Sequence, residues 1–375
     1  MVAGAVLLGK SFVHLLNVDP GFDSREVLTL TTYLYGARYQ KTDAKLGYYY
    51  QVIDRVRSTA GVESVAMTSQ LPLVDFDRYG FHTRDRRPAV ASDVPSADTY
   101  SVSPGYFEVM RIHLRRGRLF TSADAGNAPP VAIVSEACAR EQFGGTDAIG
   151  KQIQLGGRDD KKPWATIVGV VGDIHQTGLD IRPNIAAYIP MAQNSSFTYS
   201  LVVRTKVDPT SVEKAIRAAI LAVDPAMPVY RVQPLENYLA SSLAQRKFTV
   251  RLIGFFGALA LVLAAVGVYG VIAYTVTLRT REVGIRMALG AKNSDVLLAI
   301  LTTGARLTAA GLAVGFLVSL AVTRLLASLL FEVRTFDWAA SLEVAVVLAF
   351  VSLLACYLPA RRAANADPNA ALRFE

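Results

Sequence analysis

The sequence predicts an α+β domain outside the cytoplasm that is joined to a bundle of α-helical membrane spans. Two observations carry this prediction. Three long apolar runs lie in the C-terminal third of the chain, and the stretch before them alternates strand-like and helix-like segments. The composition agrees, because 52% of the 375 residues are hydrophobic and only 19% are charged, against roughly 25% charged in average soluble domains.

The three apolar runs cover residues 252–276, 307–330 and 338–358. Each has about the 20 residues that a helix needs to cross a bilayer. Between the first two lies a charged, helix-prone segment at residues 278–295, LRTREVGIRMALGAKNSD, here called the basic loop. Short basic loops stay on the cytoplasmic side of a membrane. This rule places residues 17–247 on the opposite side.

The net charge of +8 does not indicate nucleic-acid binding, because residues 17–247 contain no long block of Lys or Arg. Much of the basic excess flanks the apolar runs instead, as is typical of charges that set membrane topology. These flanking residues are Arg279, Arg281, Arg286, Lys292, Arg306, Arg361, Arg362 and Arg373.

The first 16 residues are apolar but short for a span, and they contain Lys10. No basic segment precedes them, as a secretory signal would require. With the basic loop inside, this segment must run from inside to outside. We interpret it as the end of a transmembrane helix whose beginning is missing, and expect the chain to be part of a longer protein.

The domain at residues 17–247 is predicted to begin and end with a β-α-β unit, which together indicate a split β-α-β sheet. The first unit comprises a strand at 27–34, a helix at 43–58 and a strand at 62–68. The second comprises a strand at 199–205, a helix at 209–223 and a strand at 229–232, followed by a helix at 235–247.

A β-rich insertion is expected between the two units, at about residues 97–190. Ser103-Pro104 is predicted to begin a short helix, and Ser135 to cap another. The predicted strands of the insertion cover residues 131–134, 152–155, 166–171 and 187–189.

No catalytic set is found, so we predict a non-catalytic protein without cofactor or metal. Residues 145–151 match the start of a phosphate-binding loop, G-x-x-x-x-G-K, but Gln152 stands where that motif needs Ser or Thr. A β-turn between a helix and a strand is the better interpretation. His175 lies near Asp173 in a segment typical of a turn. Cys138 and Cys356 fall in different compartments, which excludes a disulfide between them.

Gly311 and Gly315 form a G-x-x-x-G pattern on the second apolar run. Such a pattern allows another helix to approach closely. We therefore predict a helix-packing site at these two glycines.

Two segments resemble the MacB/FtsX family of ABC-transporter permeases: RTREVGIRMALGA at 279–291 and LPARRAANADPNAALR at 358–373. VDPGF at 18–22, GVESV at 61–65, SPGYF at 103–107 and IGK at 149–151 are similar to the periplasmic core of the same family. The resemblance covers nearly the whole chain. It implies residence in the bacterial inner membrane, a porter-like subdomain made of the two β-α-β units, and a sabre-like inserted subdomain.

The family also implies a division of labour. A separate ATPase dimerises on ATP in the cytoplasm and pushes on the permease, and the outer domain then expels or extracts a substrate. ATP is bound only by that partner. The coupling surface carries over to Arg281, Glu282, Gly284, Arg286 and Gly290. Arg281 and Arg286 can pair with a partner's carboxylates, although Glu282 and Arg286 are also spaced to brace each other within one helix.

The partners that the resemblance implies are a MacB-type ATPase, a second permease module and membrane lipid. The second module is either an identical copy or the other half of a tandem permease. A periplasmic adaptor and an outer-membrane channel are further partners that the family admits. Because the chain lacks an ATPase domain and has a short first span, a C-terminal half of a tandem permease, a misplaced gene start and an inactive remnant all stay open.

Two other functions stay open beside export. One is an FtsX-like signalling regulator that transmits ATPase movement to a cell-wall hydrolase outside the membrane. The other is an inert membrane anchor that displays a binding domain, which would leave the basic loop without a purpose. A large inserted outer domain favours export, since the division protein carries a smaller one.

Overall fold

A computed structural model describes residues 13, 15–84, 94–144, 147–156, 163–279, 282, 285, 292–327 and 338–364. The chain divides into two compact units. The sheet unit is Asn17–Gln245, and the helical unit comprises Met1–Leu16 with Arg246–Glu375. Each unit is described by itself below.

The described part of the sheet unit forms eleven strands: β1 Val27–Tyr33, β2 Val62–Thr68, β3 Arg78–Thr83, β4 Ser96–Val102, β5 Leu114–Gly117, β6 Val131–Ser135, β7 Gln152–Leu155, β8 Ala165–Val171, β9 Ala186–Pro190, β10 Thr198–Thr205 and β11 Val229–Pro234. The α-helices are α1 Thr42–Arg57, α2 Tyr106–Met110, α3 Glu136–Phe143, α4 Glu213–Leu221, α5 Leu235–Leu278, α6 Asn293–Ala327 and α7 Trp338–Ala364, with a 3₁₀ turn at Ala37–Tyr39.

The predicted split β-α-β sheet is confirmed. Its four strands lie in the order β11-β1-β10-β2, and every neighbouring pair is antiparallel. Strands β1 and β2 are therefore parallel to each other, as are β10 and β11, so each helix between them makes a crossover connection. This interleaving brings the two ends of the sheet unit's chain together in one sheet.

Helices α1 and α4 cover one face of this sheet. Tyr49, Val52 and Val56 of α1 are fully buried at the spacing that one face of a helix produces. They share a core with alternate residues of β1, β2 and β10, together with Ile216 and Ile220 of α4. The predicted helix at 43–58 and strand at 62–68 therefore form because their apolar periodicities, 3.6 and 2, meet across one interface.

The insertion closes on itself. Strands β4, β3, β7, β8, β6 and β9 pair in that order, and β9 pairs back with β4. Strand β5 adds to β8 outside this ring. The ring encloses its own apolar core, which includes Phe81, Ile153 and Ile167. Closure leaves few unpaired strand edges, so the insertion is a barrel-like module attached to the split sheet.

Three differences from the sequence predictions have physical reasons. Strands β3, β4 and β5 were not predicted, and β3 extends the inserted strands to Arg78, earlier than residue 97. Helix α4 begins at Glu213 and not at residue 209, because Asp208 accepts the Thr210 N–H and holds the chain in a turn. Ser103 does not cap α2, since its hydroxyl accepts the Met67 N–H of β2.

Within its described residues, the helical unit contains three helices that are long and apolar enough to cross a membrane. They are α5, α6 and α7, and they contain the predicted spans at 252–276, 307–330 and 338–358, apart from residues 328–330, which lie outside the described part of the chain. Their surfaces are largely apolar and exposed, with Phe255, Val262 and Leu317 each more than half exposed. Helices that are apolar all round are typical of a lipid environment.

Candidate functional site

The candidate site is the end of the helical unit where α5 and α6 approach the basic loop. Of the predicted coupling residues, Glu282 lies within the described residues, in a helical position. Arg281, Gly284, Arg286 and Gly290 lie outside the described residues, so their role stays a prediction. The geometry below is that of the two helix ends.

The C-terminal end of α5 is closed by local hydrogen bonds. The hydroxyls of Thr275 and Thr277 donate to the carbonyl oxygens of Val271 and Ala273, at 2.8 and 3.0 Å. The backbone N–H of Arg279 is shared between the carbonyls of Thr275 and Val276. Threonine hydroxyls satisfied in this way can lie in an apolar helix without needing water.

The N-terminal end of α6 is capped by its own sequence. The Asp295 carboxylate accepts the Lys292 N–H at 3.1 Å, while the Asp295 N–H donates to the Lys292 carbonyl at 2.9 Å. This reciprocal pattern resembles a capping box, with an acidic side chain in the first helical turn. A carboxylate there also complements the positive end of the helix dipole. The start of α6 is therefore firmly defined.

A cavity of about 110 Å³ lies between these two helix ends. Its walls are apolar, with Ile272 and Val276 from α5 and Ile300 from α6, whereas Arg279, Glu282 and Asp295 add charge. Apolar walls with a few charged groups are suited to receive a side chain from a partner. The arrangement offers binding chemistry and brings no nucleophile together with a base.

A close helix contact missed by the sequence analysis lies near this cavity. A Cβ added at Gly304 of α6 would lie 2.5 Å from Cys356 Sγ of α7 and 3.8 Å from Ile272 Cδ1 of α5. Cys356 and Ile272 are buried. Nearby, Arg362 donates a 3.1 Å hydrogen bond to the Tyr269 hydroxyl. Gly304 is therefore the point where the three helices meet, and a single glycine in an apolar run gave no signal of it.

The predicted packing glycines differ from Gly304. A Cβ added at Gly311 or Gly315 would meet no atom within 4 Å in the described part of the chain. No described residue contacts this face of α6 closely, and the predicted approach of another helix at these two glycines stays a prediction.

Of the other sequence candidates, the described end of the loop at 147–151 contains a turn, in which the Lys151 N–H donates to the Ala148 carbonyl, and His175 lies in an irregular segment after β8. The Gly150 N–H donates to the Ile167 carbonyl, and Lys151 leads directly into β7. His175 Nδ1 lies 2.9 Å from the Ile181 carbonyl, whereas the Asp173 carboxylate accepts the Ala137 N–H. His175 and Asp173 thus have separate partners. No group of three metal-ligating side chains is present among the residues that the structure describes.

Together, the split sheet with its barrel-like insertion and the three apolar helices define a membrane-embedded protein with a large α+β domain. Comparison with known families agrees. The sequence matches the family described as MacB-like periplasmic core domain over residues 6–219, and the family described as FtsX-like permease C-terminal over residues 254–368. The chain belongs to the MacB/FtsX family of ABC-transporter permeases.

Individual relatives are distant. The macrolide export ATP-binding/permease protein MacB of Pasteurella multocida (strain Pm70) is 27% identical over 77% of this chain, which spans 46% of that relative's length. The uncharacterized ABC transporter permease YknZ of Bacillus subtilis (strain 168) is 27% identical over 74% of this chain and 70% of its own. The crystal structure of the periplasmic region of MacB from Actinobacillus actinomycetemcomitans covers 61% of this chain and 97% of its own, with 15% identity and a TM-score of 0.39.

Proposed function

We propose that this chain is the permease module of an ABC-type exporter and that it takes its energy from ATP hydrolysis on a separate ATPase. The observation that carries the proposal is the cavity between the ends of α5 and α6, lined by Arg279, Glu282 and Asp295. It lies within the region that matches the FtsX-like permease family. A charged cavity at a short loop is suited to dock a partner and receive its movement.

The proposed coupling surface consists of the basic loop and the two helix ends that flank it. Arg281 and Arg286 would pair with carboxylates of the ATPase, and guanidinium groups suit such pairs because they can bind both carboxylate oxygens. Gly284 would leave room for the partner's backbone. Glu282 lines the cavity, and a brace between Glu282 and Arg286 stays open beside a role in docking.

Movement at the loop would pass along helices that cannot shift independently. The Lys292–Asp295 cap defines the start of α6, and Gly304 holds α6 against Cys356 of α7 and Ile272 of α5. Close packing of this kind transmits displacement, because dense interiors are not readily compressed. The three helices would then respond to the ATPase as one body.

The remaining parts follow from this proposal. Residues 17–247 would lie outside the cytoplasm, where the inserted ring and the split sheet expel or extract a substrate. A second permease module would complete the membrane part, using the open face of α6 at Gly311 and Gly315. The signalling alternative is less well supported, because the barrel-like insertion makes the sheet unit large.

The experiment is ATP turnover in membranes that contain the chain and its candidate ATPase. We compare the native chain with Arg281→Glu/Arg286→Glu and with the control Arg57→Glu, which changes an exposed arginine of α1. Turnover that depends on the native chain, persists in the control and is lost in the double variant is expected. ATP turnover that does not depend on the presence of the chain would contradict the proposal. Equal ATP turnover in the native chain and in all variants whose expression is confirmed would also contradict it.

A further inference from the structure

The sheet unit contains a cleft of about 960 Å³ that the proposed coupling does not use. One wall is the segment Asp19–Arg25. Another is the first part of α5, from Glu236 to Leu243. The floor includes Arg111, His113 and Arg115, which lie at and just before edge strand β5. The volume is at the upper end of the range for small-molecule sites.

Positive charge is concentrated around one carboxylate of this cleft. Asp23 binds Arg25 at 3.0 Å and Arg111 at 2.8 Å, and Arg204 Nη1 lies 4.0 Å from its Oδ2. The pKa of Asp23 is lowered to about 2, mainly by the hydrogen bond from the Arg25 side chain. One carboxylate therefore lies beside three guanidinium groups, and its single negative charge does not balance their three positive charges. The excess positive charge lies on Arg25 and Arg111, which are 75% and 49% exposed.

Negative charge is available in the same cleft. Glu236 is exposed at the start of α5, within Coulombic range of Arg25 but in no ion pair with a residue that the structure describes. Asp19 is also exposed, and its carboxylate accepts only the nearby Gly21 N–H among the described residues. The other two acidic groups of the lining are engaged, Glu136 with Arg115 and Asp173 with Ala137 N–H. Glu236 and Asp19 remain to bind a cation.

An apolar strip lies beside these charges. Leu239 and Leu243 are four residues apart on α5, so they share one face of the helix, and Ala240 adjoins them. All three line the cleft. A ligand that fits must therefore carry a negative group, a positive group and an apolar part.

Both walls are close in sequence to predicted membrane segments. Asp19–Arg25 begins three positions after residue 16, and Leu243 precedes the span at 252–276 by about 9 residues of the continuous helix α5, which are about 14 Å long. A membrane lipid is thus within reach of the cleft by chain length alone. Phospholipids with a primary ammonium combine the three required features in one molecule.

We propose that this cleft binds the headgroup of a zwitterionic phospholipid that carries a phosphate and a primary ammonium, as phosphatidylethanolamine does. The phosphate binds at Arg25 and Arg111, whose positive charge is in excess, with Arg115 and His113 beside them. The ammonium donates to Glu236 and Asp19, and the first carbons of the acyl chains lie against Leu239 and Leu243. The lipid site and the coupling surface share no residue. Failure of the proposed coupling would therefore leave lipid binding at this cleft intact.

The test is native mass spectrometry of the full chain, released from detergent and titrated separately with phosphatidylethanolamine, phosphatidylcholine and phosphatidylglycerol. Phosphatidylcholine keeps both charges but its ammonium cannot donate a hydrogen bond, and phosphatidylglycerol lacks the ammonium. We expect phosphatidylethanolamine to bind about fivefold or more tightly than either, which is the scale of one charge-assisted hydrogen bond.

Two variants locate the site. Glu236→Gln removes the charge of one of the two ammonium partners and should reduce the preference for phosphatidylethanolamine over phosphatidylglycerol severalfold. Arg115→Gln should weaken all three lipids. The matched controls Glu213→Gln and Arg57→Gln remove the same charges from exposed pairs outside the cleft. Because exposed pairs contribute little stability, all four variants should fold, which thermal unfolding checks.

Equal affinity for the three lipids, or a preference unchanged by Glu236→Gln, would overturn the proposal. Glycerophosphoethanolamine, which is the same headgroup without acyl chains, is a further ligand in this binding experiment. Weak binding of this soluble compound supports the role of Leu239 and Leu243. If it competes as well as the lipid, the site recognises a free phosphoammonium compound and the membrane-lipid assignment is wrong.

Discussion

The guanidinium group of Arg204 binds the backbone of Asp23 more closely than its carboxylate: Nη2 lies 2.9 Å from the Asp23 carbonyl oxygen, whereas Nη1 lies 4.0 Å from Oδ2. The same guanidinium donates to the carbonyls of Val109 and Arg25. Arg204 is 1% exposed. It therefore joins strand β10, the end of α2 and the segment that follows residues 1–16 through neutral backbone acceptors.

Replacing Arg204 by Met should destabilise the sheet unit strongly. The three carbonyl oxygens would lose their buried donor, and each buried group without a partner costs about 1–3 kcal/mol. We expect a loss of roughly 3 kcal/mol or more, with Arg204→Lys recovering part of it. Thermal unfolding of the full chain in detergent measures this. A melting temperature equal to that of Arg57→Met, an exposed control, would contradict the account.

Asp23 should make stability depend on pH in the acid range. Its folded pKa is about 2, below the ordinary 3.8. A lowered pKa contributes stability that is complete above pH 4 and is lost as the pH falls from about 4 to 2. The contribution is at most about 2 kcal/mol. Asp23→Asn should lower the melting temperature at pH 7 and flatten its decline below pH 4.

The matched variant for this pH series is Asp54→Asn, whose carboxylate forms an exposed pair with Arg57. We expect it to follow the native curve. Parallel acid transitions of the native chain and Asp23→Asn would show that the Asp23 carboxylate does not stabilise the fold.

The sequence was sufficient to predict those helices and strands in which the spacing of apolar residues matches the spacing of buried residues. Helix α1 and strands β1, β2 and β10 could be predicted because each has one apolar face. Strand β5, LRRG, could not, since its four residues are all exposed and only pairing with β8 defines it. Arg204 follows an apolar run, so the sequence indicates only that a strand ends there. Its burial could not be predicted, because it depends on carbonyl groups that are distant in the sequence.

The position of the candidate site along the chain could be predicted from the sequence, but the contacts between its helices could not. The basic loop between two apolar runs located it, since charge and hydropathy are local properties. The contact of Gly304 with Cys356 could not be predicted, because the two residues lie on different helices and neither has a distinctive neighbourhood. Sequence patterns instead indicated Gly311 and Gly315, at which no described residue lies within 4 Å of an added Cβ.

Gly304→Ala should therefore loosen the helical unit. The added Cβ would lie 2.5 Å from Cys356 Sγ and 3.3 Å from its Cβ, and overpacking of this kind costs about 1–3 kcal/mol. Cys356→Ala removes the sulfur and should restore part of the loss in the double variant. Thermal unfolding and thiol labelling of Cys356 report on this. Gly315→Ala is the control, and an equal effect from it would contradict the prediction.

Gly311 and Gly315 should matter for association and not for the fold of one chain. Replacing both by Ile fills an open face, so the melting temperature should change little. If a second permease module packs there, the fraction of dimer measured by light scattering in detergent should fall severalfold. An unchanged dimer fraction would assign the second module to another face.

The most direct test of the central claim is whether ATP on the partner moves the sheet unit through the basic loop. Two spin labels are placed at exposed sites, Arg116→Cys in β5 of the sheet unit and Phe255→Cys in α5 of the helical unit, after Cys138 and Cys356 are changed to Ala. Their distance distribution is measured in the complex with the ATPase, without nucleotide and with trapped ATP. We expect a shift on ATP binding that Arg281→Glu/Arg286→Glu abolishes. An identical distribution in both states, in a complex that still hydrolyses ATP, would contradict it.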